Sequence, residues 1–278
     1  MTKKIIILGA KGFVGSSVLN KLNKQKETLI PLSRDNFDFL SYDFVEFMKS
    51  KVHSGDVIIN AAAIAPCKNF DQLNVNAQLI INIQKSISEI PNLRIINISS
   101  DAVYPDVDGD ISEETDSQPL SLHGLMHDFR EKLISLTHSN LLNIRPTLIY
   151  GYGDPHGGYG PNLFIKKLLK NENISLFGKG EEKRDHIYID NLVEIITACI
   201  DNNLVGNLNA VTGDVRSFYD IAKIITETAK NKIQINYKER NGPIPHNGLR
   251  TIKNSKLLKN IPQINFDPIE KNVEKILF

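Results

Sequence analysis

Residues 3–22, KKIIILGAKGFVGSSVLNKL, decide the fold of this chain. The run at 3–8 is apolar and rich in β-branched residues, which indicates a strand buried on both faces. After three regularly spaced glycines, Val14, Val18 and Leu22 recur every fourth residue, which is typical of a helix. The stretch therefore predicts a strand, a glycine turn and a helix in direct succession.

The glycine turn has the spacing of a phosphate-binding loop. Gly9 lets the chain leave the strand sharply, Gly12 lets a diphosphate approach the backbone, and Gly15 lets the helix pack close to the strand. The helix start, at Phe13 and Val14, offers free N–H groups and the positive end of the helix dipole. We predict a dinucleotide-binding site here rather than a bare tight turn.

Composition excludes several classes of protein. The chain has 278 residues, 41% of them hydrophobic, and 33 Lys plus Arg nearly balance 32 Asp plus Glu. We therefore expect no recruitment by nucleic acid or a membrane surface. No apolar run would span a bilayer, and the start enters a strand at once, so we expect no signal peptide. Cys67 and Cys199 form no pairing pattern, which favours a cytoplasmic location.

The rest of the chain continues the alternation of strand and helix. Further strands are predicted at 28–32, 56–60, 93–98 and 141–145, separated by helices at 42–53, 71–90 and 121–138. This order predicts an α/β fold with a doubly wound parallel sheet of the Rossmann type. We expect residues 1–150 to form this domain, with 186–212 returning to it. Residues 151–185 and 213–278 are predicted to form a smaller α/β substrate lobe, with a cleft between the two.

The ends of the second and third strands carry candidate cofactor contacts. An acidic residue after the second strand would bind the adenosine ribose of NAD, whereas an arginine would pair with the 2′-phosphate of NADP. Arg34 favours NADP, although the adjacent Asp35 would suit NAD. After the third strand, the small side chains of Ala61, Ala62 and Ala63 leave room for a cofactor on the backbone.

Three polar residues follow the fourth strand: Ser99, Ser100 and Asp101. In open α/β sheets, ligands bind beyond the carboxyl ends of the strands, so these hydroxyls and this carboxylate lie where chemistry would occur. The alternative is that the serines only cap a helix or turn, a common role for serine.

Five strings together resemble the extended short-chain dehydrogenase/reductase family, which processes nucleotide-linked sugars. They are GAKGFVG at 9–15, DVIINAAA at 56–63, SSDAVY at 99–104, NIRPTLIYG at 143–151 and RDHIYIDNL at 184–192. The acidic loop YPDVDGDISEETDSQPL at 104–120 is most similar to that of its dTDP-4-dehydrorhamnose reductase and GDP-fucose synthase branches. The dehydratase branch has a glutamate at the place of Ala102, which argues against a dehydratase.

The resemblance implies further cofactor contacts and a set of catalytic residues. The family pattern implies that the cofactor also contacts Asp38, Phe39, Asn76, Ser99, His127 and Pro146. It implies catalysis by Ser100 and Asp101 together with a tyrosine and a lysine four residues apart, at positions that His123 and His127 occupy here. An imidazole with a pKa near ~6.5 is a competent proton donor at neutral pH.

We therefore expect a reductase that uses NADP, or NAD, to reduce a keto group of a nucleotide-diphosphate sugar, with His123 as proton donor. An epimerase of the same family is one alternative, and a catalytically silent NAD(P)-binding module that regulates or binds a partner is another. The histidine pair would also suit a metal, but no third ligand has the right spacing, so we predict no metal site.

Family position also implies the substrate contacts. Asn162 would bind the sugar nucleotide, and Arg184 and Arg250 its diphosphate, which an arginine fork suits well. The alternative for Arg184 is a solvated side chain in the charged run at 181–185. The helix that bears His123 commonly forms a dimer face in this family, so a homodimer is an additional expectation.

Overall fold

The computed structural model describes residues 3–24, 28–155, 157–230 and 233–278. The strands in these ranges are β1 (Lys4–Leu8), β2 (Thr28–Leu32), β3 (Val57–Asn60), β4 (Arg94–Ile98), β5 (Asp110–Ile111), β6 (Leu141–Pro146), β7 (Leu148–Tyr150), β8 (Ile174–Phe177), β9 (Lys183–Tyr188), β10 (Gly206–Ala210), β11 (Val215–Ser217), β12 (Ile235–Lys238) and β13 (Thr251–Ile252). The helices are α1 (Phe13–Leu22), α2 (Tyr42–Lys51), α3 (Phe70–Ile87), α4 (Leu122–Ser135), α5 (Pro161–Leu169), α6 (Ile189–Ala198), α7 (Phe218–Thr228), α8 (Ser255–Asn260) and α9 (Ile269–Leu277).

The main sheet has six strands in the order β10-β6-β4-β3-β1-β2, and every neighbouring pair is parallel. Helices α1 and α6 pack together on one face, and α2, α3 and α4 pack in series on the other. This confirms the predicted doubly wound parallel sheet. Strand β10 lies at one edge of it, although it follows the start of the predicted substrate lobe in the chain.

Strand β1 shows why the opening apolar run is buried on both faces. Ile5 and Ile7 belong to the core cluster under α1 and α6, whereas Ile6 and Leu8 belong to the cluster under α2, α3 and α4. All four side chains are almost fully buried. Each such burial stabilises the fold by about 1.5–3 kcal/mol, so a two-sided strand supports both layers at once.

An asparagine ladder crosses four neighbouring strands of the main sheet. The side-chain amide of Asn60 donates to Asn97 at 3.0 Å, Asn97 donates to Asn143 at 3.0 Å, and Asn143 donates to Asn207 at 3.1 Å. These four residues are register partners on β3, β4, β6 and β10. The ladder thus satisfies amides that would be costly to bury alone.

The remaining strands form three small sheets: β11-β9-β7, β12-β8 and β13-β5. The charged run at 181–185, for which a solvated face was one expectation, leads into β9 instead. Glu182, Arg184 and Asp185 are all buried there. The spacing of charges in the sequence did not predict this burial, because partners of these three side chains, such as Asp101 and Arg240, lie far away in the chain. Separately, none of the helices in the described part of the chain is long and apolar enough to cross a bilayer.

Candidate functional site

The glycine turn after β1 packs tightly on the end of β3. Gly9 has a positive φ of 83°, and a Cβ there would lie 2.8 Å from backbone atoms of Ala61 and Ala62. A Cβ on Gly15 would overlap the carbonyl group of Gly9, with the carbonyl carbon 2.8 Å away. Both positions therefore require glycine for packing.

Gly12 differs from Gly9 and Gly15 because it is exposed. Among the described atoms, a Cβ there would meet the Gly9 carbonyl oxygen at 3.2 Å, which is a close contact rather than an overlap. Gly12 is the N-cap of α1, no described side chain caps the helix, and its first turn has no acidic residue. The N–H groups at Phe13 and Val14 thus begin a helix whose positive end has no negative partner on α1 itself. This open, uncapped helix start fits the diphosphate of a dinucleotide.

The contacts expected for the adenosine half lie beside this turn. Arg34 and Asp38 are exposed after β2, whereas the Phe39 side chain is buried and packs on Phe44, with ring centroids 4.8 Å apart. Asp35 forms an ion pair with Lys11, and this hydrogen-bonded cation lowers the pKa of Asp35. The Arg34 side chain is therefore accessible to solvent or to a bound phosphate, whereas the buried Phe39 side chain is not accessible to a cofactor.

On the β3 side, the chain after the strand is fixed by one buried amide. Asn76 on α3 accepts a hydrogen bond from the Ile64 N–H at 2.8 Å and donates to the Ile64 carbonyl at 3.0 Å. Ala61 and Ala63 are partly exposed just before this clamp, while Ala62 is buried. Pro146 ends β6 and is buried next to the same edge of the sheet.

The two serines at the end of β4 have different hydrogen-bond partners. The Ser99 hydroxyl donates to the Glu131 carboxylate on α4. The Ser100 hydroxyl accepts a hydrogen bond from the Ala102 N–H at 3.1 Å and so caps a short 3₁₀ turn, Asp101–Val103. The capping role that the sequence left open for serine is therefore observed for Ser100, which remains only partly buried beside the cleft.

Helix α4 brings the histidine pair to this turn. A Cβ on Gly124 would overlap the Ala102 carbonyl group, so glycine allows α4 to pack directly against the 3₁₀ turn. The rings of His123 and His127 are perpendicular, with centroids 4.7 Å apart. The Cys67 N–H donates to Nδ1 of His123 at 3.4 Å, which favours the neutral tautomer with its proton on Nε2.

His127 is 5% exposed and lies next to a permanent cation. Burial, then the charge of Arg130, then His123 hold the pKa of His127 well below its ordinary value, so it is neutral at pH 7. Nη1 of Arg130 lies 3.3 Å from Nδ1 of His127. Sequence reasoning missed Arg130. The available signal was an arginine three residues after His127, on the same helical face.

A second buried pair was also missed. Arg145 on β6 binds Glu131 through two hydrogen bonds, Nε to Oε1 at 3.0 Å and Nη2 to Oε2 at 2.6 Å. The Arg145 guanidinium also lies over the Tyr104 ring, 4.7 Å from its centroid. Burial raises the pKa of Tyr104, whose hydroxyl donates to Asn209 at 2.7 Å. This phenol therefore supports the site and is not placed to transfer a proton at neutral pH.

The two arginines expected to bind diphosphate meet at Asp101. Arg184 lies 3.3 Å from the Asp101 carboxylate through Nη2, and Arg250 lies 3.4 Å from it through Nε. Arg250 also donates to the backbone carbonyl of Asp101 at 2.8 Å and to the Asp106 carboxylate at 3.0 Å. Arg184 is thus an ion-paired interior group and not a solvated one.

Asn162 belongs to a different set of contacts. Its side chain accepts a hydrogen bond from the Gly151 N–H at 3.0 Å and donates to the Asp154 carboxylate at 2.7 Å. These bonds fix the glycine-rich loop after β7. A further arginine, Arg240, lies 3.6 Å from the buried Glu182 carboxylate and was missed in the sequence, because nothing local connects the two. Within the described ranges, no three His, Cys, Asp or Glu side chains are grouped to bind a metal.

Comparison with known proteins finds similar proteins that match nearly the whole chain. The curated protein "Uncharacterized UDP-glucose epimerase YtcB" of Bacillus subtilis (strain 168) is 24% identical over 95% of this chain and 93% of its own length. A crystal structure of UDP-glucose 4-epimerase with UDP-glucose, from Thermotoga maritima, is 18% identical, with a TM-score of 0.87 over 98% of this chain and 97% of that one. A GDP-L-fucose synthetase from Naegleria fowleri bound to NADP is 16% identical, with a TM-score of 0.82 over 99% and 94%.

The structural likenesses show the fold, and a family model settles the classification. Residues 5–211 match the model described as the NAD dependent epimerase/dehydratase family. That span runs from β1 through β10 and includes the glycine turn, the end of β4 and the histidine pair. The resemblance found in the sequence is thereby confirmed: the chain belongs to the NAD-dependent epimerase/dehydratase family.

Proposed function

We propose that this protein binds NAD or NADP and acts on a nucleotide-diphosphate sugar, which it epimerises through a keto intermediate. The observation that carries the proposal is the convergence of three features on one edge of the sheet: the uncapped glycine turn, Ser100, and the histidine pair on α4. A nucleotide-sugar epimerase is also what the named relatives from Bacillus subtilis and Thermotoga maritima are.

The cofactor would lie with its diphosphate on the backbone of Gly12, Phe13 and Val14. When bound, it supplies hydride transfer. The exposed Arg34 favours the 2′-phosphate of NADP, as an arginine at the end of β2 would pair with it. Arg184 and Arg250, which meet at Asp101, are the cations that would bind the diphosphate of a sugar nucleotide.

His123 would bind the reacting sugar oxygen together with the Ser100 hydroxyl. Because its Nδ1 accepts from the Cys67 N–H, its Nε2 carries the proton and would donate a hydrogen bond to a keto oxygen. This donor role serves any reaction of the family that passes through a keto sugar. It replaces a tyrosine hydroxyl, and it does not need a neighbouring lysine to lower its pKa.

Reduction of a keto sugar is a second candidate function, because the Nε2–H of His123 can donate a hydrogen bond to a keto oxygen while Nδ1 accepts from the Cys67 N–H. The proton that the reduced oxygen takes up would come from solvent through His123, since a neutral imidazole that gave up Nε2–H with no proton in return would become an anion. Epimerisation adds a base step, in which Nε2 must first lose its proton and Nδ1 must carry one towards the Cys67 N–H donor.

One experiment separates the candidates. The purified protein is incubated with UDP-glucose and NAD or NADP, and in parallel with nucleotide-diphosphate 4-keto sugars and NADH or NADPH. Conversion of the sugar without net change in cofactor absorbance supports epimerisation, whereas stoichiometric loss of reduced cofactor supports reduction. Either activity should be lost in His123→Phe. Tight cofactor binding with no turnover of any sugar contradicts both, and favours a silent NAD(P)-binding module.

A further inference from the structure

The family pattern requires a positive charge on α4 four residues after the proton donor, and this chain has a neutral histidine there. His127 is enclosed, and its pKa lies well below the ordinary value because of burial and the adjacent Arg130. The site would therefore have no cation if position 127 were its only source. Resting on the function proposed above, we propose that Arg130 supplies this cation from beneath His127 and positions the nicotinamide half of the cofactor.

The contacts of Arg130 place its charge at the edge of the sheet where the cofactor would lie. Nη1 donates to the Ile98 carbonyl at the end of β4, at 3.3 Å, and Nη2 donates to the Asn60 carbonyl at the end of β3, at 3.4 Å. Nη1 also lies 3.3 Å from Nδ1 of His127. The guanidinium thus ties together the two strand ends and the histidine in the lysine position.

The charge of Arg130 is not cancelled by a direct partner. Its side chain is 1% exposed, and in the described ranges its Nε has no hydrogen-bond partner. The neighbouring Glu131 is already engaged by both Arg145 and Ser99. Its remaining partners in the described ranges are two carbonyl oxygens, the neutral His127 imidazole and the Met126 sulfur at 4.0 Å from Nη1, and none of these carries a charge. The field of Arg130 therefore extends towards His127.

A second positive charge next to Arg130 would be unfavourable. A lysine at 127 would bring its ammonium close to the Arg130 guanidinium in a buried place, where two like charges strongly destabilise each other. A neutral His127 avoids this conflict and can accept a hydrogen bond from Arg130 on Nδ1 while Nε2–H points away from it. The structure therefore accounts for the replacement of lysine, because this buried place accommodates one cation, at position 127 or at position 130, but not two.

The titratable and charged groups around His127 and Arg130 determine how cofactor binding should depend on pH. They are His123, Arg130 and Glu131 on α4, Cys67 on the loop after β3, and Arg145 on β6. Burial raises the pKa of the Cys67 thiol, so it stays neutral below pH 8. Loss of the Arg130 charge would remove the second of the causes that lower the pKa of His127, but burial, the largest cause, would remain, so His127 should stay neutral in mild acid and not replace the lost cation.

The test measures binding of NADH and NADPH by fluorescence at pH 6 and pH 8, with no sugar present. Arg130→Gln should bind the reduced cofactor about tenfold more weakly than the wild type at pH 8, the loss expected for one charge-assisted contact. The loss should persist at pH 6, because burial keeps His127 neutral there. Arg130→Lys should keep wild-type affinity within about threefold because it keeps the charge.

A double variant and a matched control complete the test. His127→Lys with Arg130→Gln moves the cation to position 127 and should restore binding at pH 8, whereas His127→Lys alone should fold poorly or bind weakly. Arg94→Gln removes another buried arginine, at the opposite end of β4, where it donates to the Cys199 carbonyl at 3.2 Å. It should lower stability without changing cofactor affinity.

Several results would overturn the proposal. Equal affinity of folded Arg130→Gln and wild type for NADH and NADPH would do so. If Arg130→Gln does not fold, failure of the folded double variant to bind overturns it as well. A wild type that binds no dinucleotide refutes the cofactor site and this proposal together. A wild type that binds dinucleotide but converts no sugar refutes only the proposed reaction.

Discussion

Substitution of Glu131 by glutamine should strongly destabilise the fold, because it leaves a buried cation without its carboxylate. The side chains of Glu131 and Arg145 are 6% and 4% exposed, and two hydrogen bonds join them in a bidentate pair. Removing one partner of such a buried pair costs about 3–5 kcal/mol, since the remaining charge keeps its full desolvation penalty.

The expected change in melting temperature follows from that free energy. At about 2–4 °C per kcal/mol for a chain of this size, Glu131→Gln should melt roughly 6–20 °C below the wild type. Urea unfolding followed by circular dichroism gives the free energy directly, provided that the slope against urea stays unchanged. The substitution also removes the charge that accepts the Ser99 hydroxyl, so the end of β4 should loosen as well.

Two controls make the reasoning refutable. Glu131→Gln with Arg145→Met removes both charges and should recover much of the lost stability, because a buried pair can be replaced by apolar groups at little cost. Glu194→Gln makes the same change at an exposed position of α6 and should change stability by less than about 0.5 kcal/mol. A loss below about 1 kcal/mol for Glu131→Gln, or a double variant less stable than the single one, would refute the argument.

The remaining predictions concern the cofactor turn, the surface of α4 and the pH dependence of stability. Gly12→Ala should bind NADH or NADPH at least about tenfold more weakly because its Cβ would occupy the exposed side of the turn, and it should lower the melting temperature only slightly because that Cβ lies 3.2 Å from the Gly9 carbonyl oxygen. Gly15→Ala should lower the melting temperature much more because its Cβ overlaps the Gly9 carbonyl group. Equal effects of the two substitutions in calorimetry would contradict this. Leu125 and Phe129 are 44% and 37% exposed on α4, so a homodimer through this face should dissociate in sedimentation velocity when both become glutamate, and an unchanged sedimentation coefficient would exclude the face. Burial lowers the pKa of His186 to about 3, whereas the pKa of an unfolded histidine is about 6.5. As the pH falls, the unfolded state therefore takes up the proton first, and this histidine should lower the free energy of unfolding by about 1.4 kcal/mol per pH unit below about pH 6.5. His186→Phe should remove that part of the slope in urea unfolding at pH 7, 6 and 5, and an unchanged slope would contradict the argument.

Much of the main domain was predictable because its signals are local. The apolar runs predicted β1, β3, β4 and β6 to within a residue or two, and the helices between them differ from prediction mainly at their last turn. Helix α4 illustrates the difference: a helix is expected over 121–138, but Ser121 is its N-cap and the helix ends at Ser135. The Ser121 hydroxyl accepts from the Gly124 N–H at 3.1 Å, a cap readable from the sequence.

The charged interior of the site was not predictable from local patterns. Asp101 is separated from Arg184 by 83 residues and from Arg250 by 149, so no spacing rule connects them. The same is true of Glu182 and Arg240, whose pairing depends on how β9 and the segment after β12 meet. Charged residues in a sequence suggest solvent exposure, and only the three-dimensional arrangement shows that these neutralise one another.

This neutralisation bears on how a diphosphate would enter. If Arg184 and Arg250 bind the substrate diphosphate, as the family resemblance implies, they must do so while balanced by Asp101 and Asp106. An incoming diphosphate would compete with the Asp101 carboxylate, which directly follows the Ser100 residue expected at the reacting oxygen. Release of Asp101 from the arginines would alter the short turn that Ser100 caps. The Asp101 carboxylate thus connects Arg184 and Arg250 to the turn that Ser100 caps. Substrate binding and catalysis should therefore change together when Asp101 is substituted.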